Sequence, residues 1–326
     1  MKKIAVIPGD GVGPEVIGAT VKILDGLPVD LEYNEYPAGD GALENTGTAL
    51  PAETLSAARE ADAVLMGAIG ETAVDVVIRL RQELDTYVNL RPIKAYPGVE
   101  CVNSDADLVM VRENTECLYA GIETEIVPGV TTATRVISEF ASKRIARYAF
   151  DYAEAEGRNL VSAIHKNKVL PVTGGEFLSA FREVAEDYDI EYEDVLVDAA
   201  ALYLVKEPER FDVVLTTNLF GDILSDLAAG LIGGLGLSPS ANIGEDHGLF
   251  EPVHGTAPDI AGQGIVNPTA TVLSASYMLN FLGESELAKR LESAVEGVLE
   301  AGETTPDLGG ELSTMEMAEA VLNRVV

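Results

Sequence analysis

Basic residues are scarce in this chain, so the places where they gather carry information. Lys and Arg number 22 against 54 Asp and Glu, a formal net charge of -32. Arg79, Arg81 and Arg91 nevertheless fall close together, and Arg112 follows in Val111-Arg112-Glu113-Asn114. A guanidinium fork fits a carboxylate bidentately. Any one of these arginines can instead be a surface residue paired with a surface acid. That reading suits the set less well, because Arg91 precedes Pro92 at a strand-like junction and Arg112 ends an apolar strand. Strand ends are where α/β proteins put their ligands.

A second group is acidic. In Asn218-Leu219-Phe220-Gly221-Asp222-Ile223-Leu224-Ser225-Asp226 the two aspartates stand at i and i+4 and share a helix face. Like charges so placed cost about 0.2–0.5 kcal/mol unless something neutralises them. A hard divalent cation would do so. Complementation of the helix dipole accounts for Asp222 but less well for Asp226, one turn deeper. Asp198 closes the apolar run Val195-Leu196-Val197 and supplies a third carboxylate for Mg2+ or Mn2+. Zinc is disfavoured by the scarcity of Cys and His. Lys166, in Ala163-Ile164-His165-Lys166, is a candidate base at a strand end, or simply a surface lysine there. Gly9-Asp10-Gly11-Val12-Gly13 follows the first strand but has the spacing GxGxG. Pro14-Glu15 then sets an acid where a pyrophosphate would dock, so a standard dinucleotide fingerprint is not read here.

The elements that must position these groups alternate. Strands are expected at 4–7, 31–36, 63–66, 108–111, 160–164 and 211–216. Helices are expected at 13–24, 52–60, 76–84, 139–156 and 219–231. Such βα alternation predicts an α/β protein with a largely parallel sheet. Residues 119–137 break the rhythm. Ile122, Val127, Val130 and Val136 around Pro128-Gly129 read as a hairpin, of the kind that serves as an arm for a partner subunit. The length suits two domains, and no linker separates them.

The acids are spread along the whole chain, which argues against an acidic tail and against a nucleic-acid partner. A dispersed acidic surface suits a high-salt cytoplasm, where screening lengths shrink. No apolar run approaches the ~18–20 residues of a membrane span, and the first strand runs into a loop rather than forming a signal peptide. Cytoplasmic location is expected, with Cys101 and Cys117 as reduced, structural thiols.

Taken together, these motifs resemble the isocitrate/isopropylmalate dehydrogenase family, the β-decarboxylating dehydrogenases. The matches run from Ile7-Pro8-Gly9-Asp10-Gly11 through Leu80-Arg81-Gln82-Glu83-Leu84, Asn89-Leu90-Arg91-Pro92, Arg112-Glu113-Asn114-Thr115-Glu116 and Tyr119-Ala120-Gly121. They continue with His165-Lys166, Asn218 to Asp226, Glu251 to Gly262, Asn267-Pro268 and Thr305 to Gly310. The resemblance implies an α/β fold of the family's own two-domain kind. Its discontinuous first domain would hold 1–98 plus 233–326, and its central domain 99–232 with the arm at 119–137. It implies a homodimer or higher homo-oligomer in which Lys166 and Asp198 serve the partner's site. Arg81, Arg91 and Arg112 would hold the carboxylates of a malate. Asp198, Asp222 and Asp226 would hold Mg2+ or Mn2+, and Lys166 and Tyr119 would move protons. His254, Gly255, Thr256, Ala257, Asp259, Ile260 and Asn267 would cradle NAD.

Two departures from the family pattern stand out. Lys168 occupies the place of a usual Asn, and the Gly70–Asp75 loop is short and lacks a usual Glu near Val74. For the substrate's third substituent, isocitrate enzymes place Ser and Asn where this chain has Asp75 and Val77. An acid repels a third carboxylate, whereas Val77 and Ile78 form an apolar pocket suited to a branched alkyl group. The expected reaction is oxidative decarboxylation of 3-isopropylmalate to 4-methyl-2-oxopentanoate, a step of leucine biosynthesis. Isocitrate, homoisocitrate, 3-methylmalate and D-malate stand as alternatives, methyl and isopropyl differing by only ~1–3 kcal/mol in such a pocket. A non-catalytic regulatory subunit is the reading from another class, but such a chain is expected to lose part of the Arg/Asp/Lys/Tyr set. Asp259-Ile260, where NADP-linked relatives commonly carry Lys-Tyr, points to NAD. Asp259 as a cap for a short turn is the competing structural explanation.

Overall fold

The computed structural model describes residues 1–325. In chain order the first elements are β1 (Lys2–Ile7), α1 (Gly13–Asp25), β2 (Leu31–Glu35), α2 (Asp40–Thr46), α3 (Ala52–Glu60) and β3 (Ala63–Met66). A π-helical turn (Val74–Ile78) runs into α4 (Arg79–Glu83), followed by β4 (Val88–Lys94) and β5 (Asp107–Glu113). The hairpin β6 (Glu123–Val127) and β7 (Val130–Ala133) precedes α5 (Glu139–Glu156), β8 (Leu160–His165) and α6 (Thr173–Ala185). Then come β9 (Glu191–Leu196), α7 (Val197–Lys206), β10 (Val213–Thr216) and α8 (Asn218–Leu231). The chain closes with β11 (Pro239–Ile243), β12 (Gly248–Pro252), α9 (Thr269–Phe281), α10 (Ser285–Glu300) and α11 (Thr314–Val325).

Two compact units result. One comprises Met1–Thr86, Ala95–Ser104 and the chain from Ile232 onward; the other comprises Tyr87–Lys94 and Asp105–Leu231. A division at residue 98 would leave β4 with the first unit. It belongs to the second because it pairs antiparallel with β5 along its whole length, from Val88 opposite Glu113 to Lys94 opposite Asp107. Arg91-Pro92 thus lies inside a strand rather than at a junction.

In the first unit the strands run in the order β2-β1-β3-β12-β11. All neighbours are parallel except β11 and β12. The register aligns Ile7 with Met66 and Phe250 with Leu65. Three loops, 8–12, 67–73 and 253–264, therefore leave neighbouring carboxyl ends side by side. Ala5, Ile7, Val64, Met66, Leu80 and Leu249 are among the residues of the core beneath one face. The helix α9 is buried almost all round, as expected of an apolar helix inside a domain.

In the second unit the order is β4-β5-β10-β8-β9. Thr216 stands level with Arg112 on β5 and Ile164 on β8, and His165 stands level with Leu196 on β9. The parallel strands thus deliver Arg112, Asn218, Lys166 and Asp198 to one edge. The helix α5 starts on Ser138, whose hydroxyl accepts from the Ala141 N–H. The hairpin is closed at its base by a bridge between Cys117 and Val136, and its two strands are exposed throughout.

Two of the expectations differ from the structure in detail. The helix expected at 76–84 begins with a π turn at Val74–Ile78. Asp198, read as the end of an apolar run, lies in the first turn of α7.

Candidate active site

Arg112 is the most enclosed of the arginines, 1% exposed. Its Nε and Nη2 both donate to Asn218 Oδ1 at 3.0 and 2.7 Å, and its Nη1 donates to Asp222 Oδ1 at 2.5 Å. The guanidinium also lies over the Tyr119 ring, 5.1 Å from its centroid. Arg91 donates from Nη1 to Ser225 Oγ at 2.6 Å and to Asp226 Oδ1 at 3.2 Å, and its Nη2 is 4.0 Å from Asp222 Oδ1. Tyr119 donates its hydroxyl to Asp222 Oδ2 at 2.7 Å. One face of α8 therefore gathers two buried cations, two carboxylates and a phenol.

The electrostatics follow from these contacts. Burial opposes ionisation of Asp222, but Arg112, the Tyr119 hydroxyl and Arg91 outweigh it and hold the carboxyl below its ordinary value. Burial pushes Asp226 up, and the Asp222 charge adds to this against the pull of Arg91. Tyr119 is raised by burial and by its bond to Asp222, so it stays protonated and able to donate. Asp222 and Asp226 form a hard-oxygen pair whose mutual repulsion is only partly met by arginine, and such a pair suits a divalent cation.

Lys166 and Asp198 stand apart from this cluster as a pair of their own, Nζ to Oδ1 at 2.5 Å. Their meeting follows from register, since they follow the neighbouring parallel ends of β8 and β9. Asp198 is held below its ordinary value by Lys166 first, with Lys168 adding to it. Among the described residues no three acid, His or Cys side chains of one chain gather as a metal site. Asp198 does not join Asp222 and Asp226 within the chain.

Arg81 belongs to the other unit. Its Nη2 donates to Glu251 Oε1 at 2.7 Å, and both side chains are below 10% exposed. Asn242 Nδ2 donates to the same oxygen at 2.8 Å. Arg79, grouped with Arg81 on spacing, is a surface residue 3.9 Å from Glu83 one turn on. For Arg79 the surface reading is correct. Val77 is partly buried and packs against the core cluster through the π turn, while Ile78 is half-buried.

The 254–262 loop is open at Gly255, Ala257, Pro258 and Asp259, with Thr256 and Ile260 half-buried. Ala257 takes φ +38, a conformation that side chains other than glycine rarely adopt and that gathers at functional sites. Burial holds His254 below its ordinary value, which favours the neutral ring. Its Nδ1 lies 3.0 Å from the Gly255 carbonyl and must carry the proton. Nε2 is left as a buried acceptor with no partner among the described residues. That orphaned acceptor and the exposed backbone suit a polar ligand. Among the described residues no donor reaches the Asp259 carboxylate; only its carbonyl is engaged, by Gln263 Nε2 at 2.7 Å. The turn-cap explanation of Asp259 is not what the loop shows. Asn267 plays a structural part. Its Oδ1 accepts from Thr269 N at the start of α9, and its Nδ2 donates to Asp307 at 3.1 Å.

Glu251, Asn218 and Ser225 hold the arginines, yet none stood out from spacing. Glu251 and Arg81 lie 170 residues apart, and no local pattern marks such a partner. The only signal was the scarcity of cations, which makes the acid next to each one worth seeking.

The profile described as isocitrate/isopropylmalate dehydrogenase matches residues 3–321. A curated relative from Archaeoglobus fulgidus, 3-isopropylmalate dehydrogenase, is 58% identical over 98% of this chain and 98% of its own. Another from Methanocaldococcus jannaschii, 3-isopropylmalate/3-methylmalate dehydrogenase, is 58% identical over 100% of this chain and 99% of its own. A crystal structure of isocitrate dehydrogenase from Methylococcus capsulatus superposes with a TM-score of 0.96 at 47% identity, covering 100% of this chain and 99% of that one. With its buried arginines, its paired aspartates and a match along nearly its whole length, the chain belongs to the isocitrate/isopropylmalate dehydrogenase family.

Proposed function

We propose that this enzyme oxidises and decarboxylates 3-isopropylmalate with NAD, giving 4-methyl-2-oxopentanoate, as in leucine biosynthesis. The observation that carries the proposal is the cluster on α8, where Arg91, Arg112 and Tyr119 meet Asp222 and Asp226. A non-catalytic subunit would have no reason to keep all five together. Asp75 and Val77 offer nothing to bind a third carboxylate, which favours an alkyl-substituted malate over isocitrate. A specific observation also supports 3-methylmalate as a second substrate. Val77 leans on the core, so Ile78 carries more of the alkyl pocket, and a single side chain discriminates weakly between branches.

Arg81, Arg91 and Arg112 bind and orient the two carboxylates by bidentate bonding. Asp222 and Asp226, with the partner subunit's Asp198, would hold Mg2+ or Mn2+. When bound, the cation lowers the pKa of the C2 hydroxyl and offsets the negative charge that decarboxylation leaves on that oxygen. The partner subunit's Lys166 would take the hydroxyl proton as the C2–H bond breaks, and NAD, when bound, would supply the acceptor for that hydrogen together with its electron pair. The bond from C3 to its carboxylate then breaks, CO2 leaves, and the electron pair remains as an enolate. Tyr119, still protonated, returns a proton to C3. His254 to Ile260, with Asn267 further along the chain, would cradle NAD, and the Asp259 carboxylate would be the group to accept from the ribose diol of its adenosine half.

A homodimer is part of the same reading. Ile126 and Val130 on the hairpin, Leu202 and Val205 on α7 and Ile223 on α8 are all about half exposed or more. Apolar side chains so gathered on one unit suit contact with a second copy. A cytoplasmic, high-salt setting is inferred from the dispersed charge of -32. Among the described residues no helix is long and apolar enough to cross a membrane.

The test is a steady-state comparison of 3-isopropylmalate, 3-methylmalate, isocitrate, homoisocitrate and D-malate in molar salt, with and without EDTA. The highest kcat/KM is expected with 3-isopropylmalate, and EDTA is expected to abolish turnover. A preference for isocitrate, or full activity in EDTA, would contradict the assignment.

A further inference from the structure

The segment Gly9–Glu15 looks like a dinucleotide loop but has the wrong spacing and carries an acid at the helix start. Its contacts show what it does instead. The Asp10 carboxylate accepts from three backbone N–H groups: Asp40 at 2.9 Å, Gly41 at 3.0 Å and Gly70 at 3.0 Å. The Asp40 carboxylate accepts in turn from Glu71 N at 3.0 Å, Thr72 N at 2.9 Å and Thr72 Oγ1 at 2.8 Å. This two-step relay fixes the loop that leads directly into the π turn carrying Val77 and Ile78.

The opposite side of the same segment holds a different loop. Glu15 spreads its two carboxylate oxygens over two backbone donors, Gly262 N at 2.6 Å and Gly264 N at 2.7 Å. Val12 N donates to Thr256 O at 3.0 Å. The glycines let the backbones close up. A Cβ on Gly9 (φ +75) would stand 2.1 Å from Ala68 O, and one on Gly11 (φ +57) would stand 2.2 Å from Thr256 O. The neighbouring carboxyl ends of β1, β3 and β12 bring the three loops within reach.

We infer that Gly9–Glu15 is a two-sided positioning element, in which Asp10 acting through Asp40 sets the substrate-reading turn and Glu15 sets the cofactor loop. The inference rests on the proposed roles of those two loops, and it assigns Asp10, Asp40 and Glu15 as positioning residues that touch neither ligand. Each side acts on its own loop, so the two can be loosened separately.

Hydrogen exchange on the ligand-free protein tests the holding itself, whatever the substrate proves to be. Glu15→Gln keeps one acceptor and Glu15→Ala none. Exchange at Gly262 and Gly264 should quicken in that order, by roughly tenfold in the alanine variant, while Gly70 to Thr72 stay as in wild type. Asp40→Asn should do the reverse. Kinetics then read the consequence. Glu15→Ala should raise KM for NAD by roughly tenfold with kcat and the hydroxy-acid KM little changed, and Asp40→Asn should raise the hydroxy-acid KM alone. Exchange that does not move, exchange that quickens in both loops for either variant, or the two KM values rising together would overturn the inference. If the wild-type enzyme turns over none of the five acids, the functional proposal fails, and the exchange pattern still decides the positioning claim.

Discussion

Glu251 offers a sharp test of how Arg81, proposed to bind the substrate, is held. Its Oε1 receives both Arg81 Nη2 and Asn242 Nδ2, and the ion pair is more than nine-tenths buried. Glu251→Ala strands a buried guanidinium whose Nε already lacks a partner among the described residues. Asn242 is less affected, because its amide also reaches Leu249 O. Breaking a buried pair by removing one partner costs about 3–5 kcal/mol. At about 2 °C per kcal/mol for a chain of this size, Tm should fall by roughly 6–10 °C. Glu251→Gln keeps a neutral acceptor and should lose only about 1–2 kcal/mol. Arg81→Met combined with Glu251→Leu removes both charges and should regain most of the stability, since apolar replacement of a buried pair is often neutral. That double variant should still be inactive if Arg81 binds the substrate as proposed. Differential scanning calorimetry in molar salt, with kcat/KM on the same samples, gives both readouts. An unchanged Tm in Glu251→Ala, or a double variant as unstable as the single one, would refute the reasoning.

Other expectations follow from the same contacts. Asp259→Lys with Ile260→Tyr should move the ratio of kcat/KM from NAD towards NADP, because the carboxylate proposed to accept from a ribose diol would repel a 2′-phosphate; a wild-type preference for NADP would refute it. Burial holds both His165 and His254 below the ordinary imidazole value of 6.5, with Asp194 opposing the effect at His165. The unfolded chain therefore takes up protons first. Stability should be full above pH 6.5 and decline as the pH falls below it, and His165→Asn or His254→Asn should flatten that slope in a series of thermal melts. With a net charge of -32, Tm should climb steadily from millimolar to molar KCl, and a flat response would remove the high-salt reading.

Much of the positioning frame was legible in the sequence because it is local. The strand at 63–66 and the helices at 52–60 and 139–156 have the bounds their apolar periodicity predicts. The pairing of Asp222 with Asp226 needs only the helical repeat. What stayed hidden was non-local or irregular. The π turn at Val74–Ile78 shifts the register of a helix by less than the pattern of apolar residues can report. It turns Val77 partly toward the core. The strand carrying Arg91 contains a proline that masked it, and it is fixed by pairing with β5 rather than by its own alternation. The Glu251–Arg81 and Asp10–Asp40 contacts join residues far apart in sequence, and no spacing rule finds them. Arg79 shows the converse: it shares the spacing of Arg81 yet ends on the surface.

The proposed reaction is an oxidation coupled to loss of the β-carboxylate from 3-isopropylmalate. Its most direct measurement is product stoichiometry. Purified enzyme with 3-isopropylmalate carrying a 13C label in the β-carboxylate, NAD and Mg2+ is followed by 13C NMR for CO2 and bicarbonate and by absorbance for NADH. Labelled CO2 plus bicarbonate, 4-methyl-2-oxopentanoate and NADH should appear in equal amounts. NADH formed while the label stays in a 2-oxo dicarboxylate, or no NADH at all, would contradict the account.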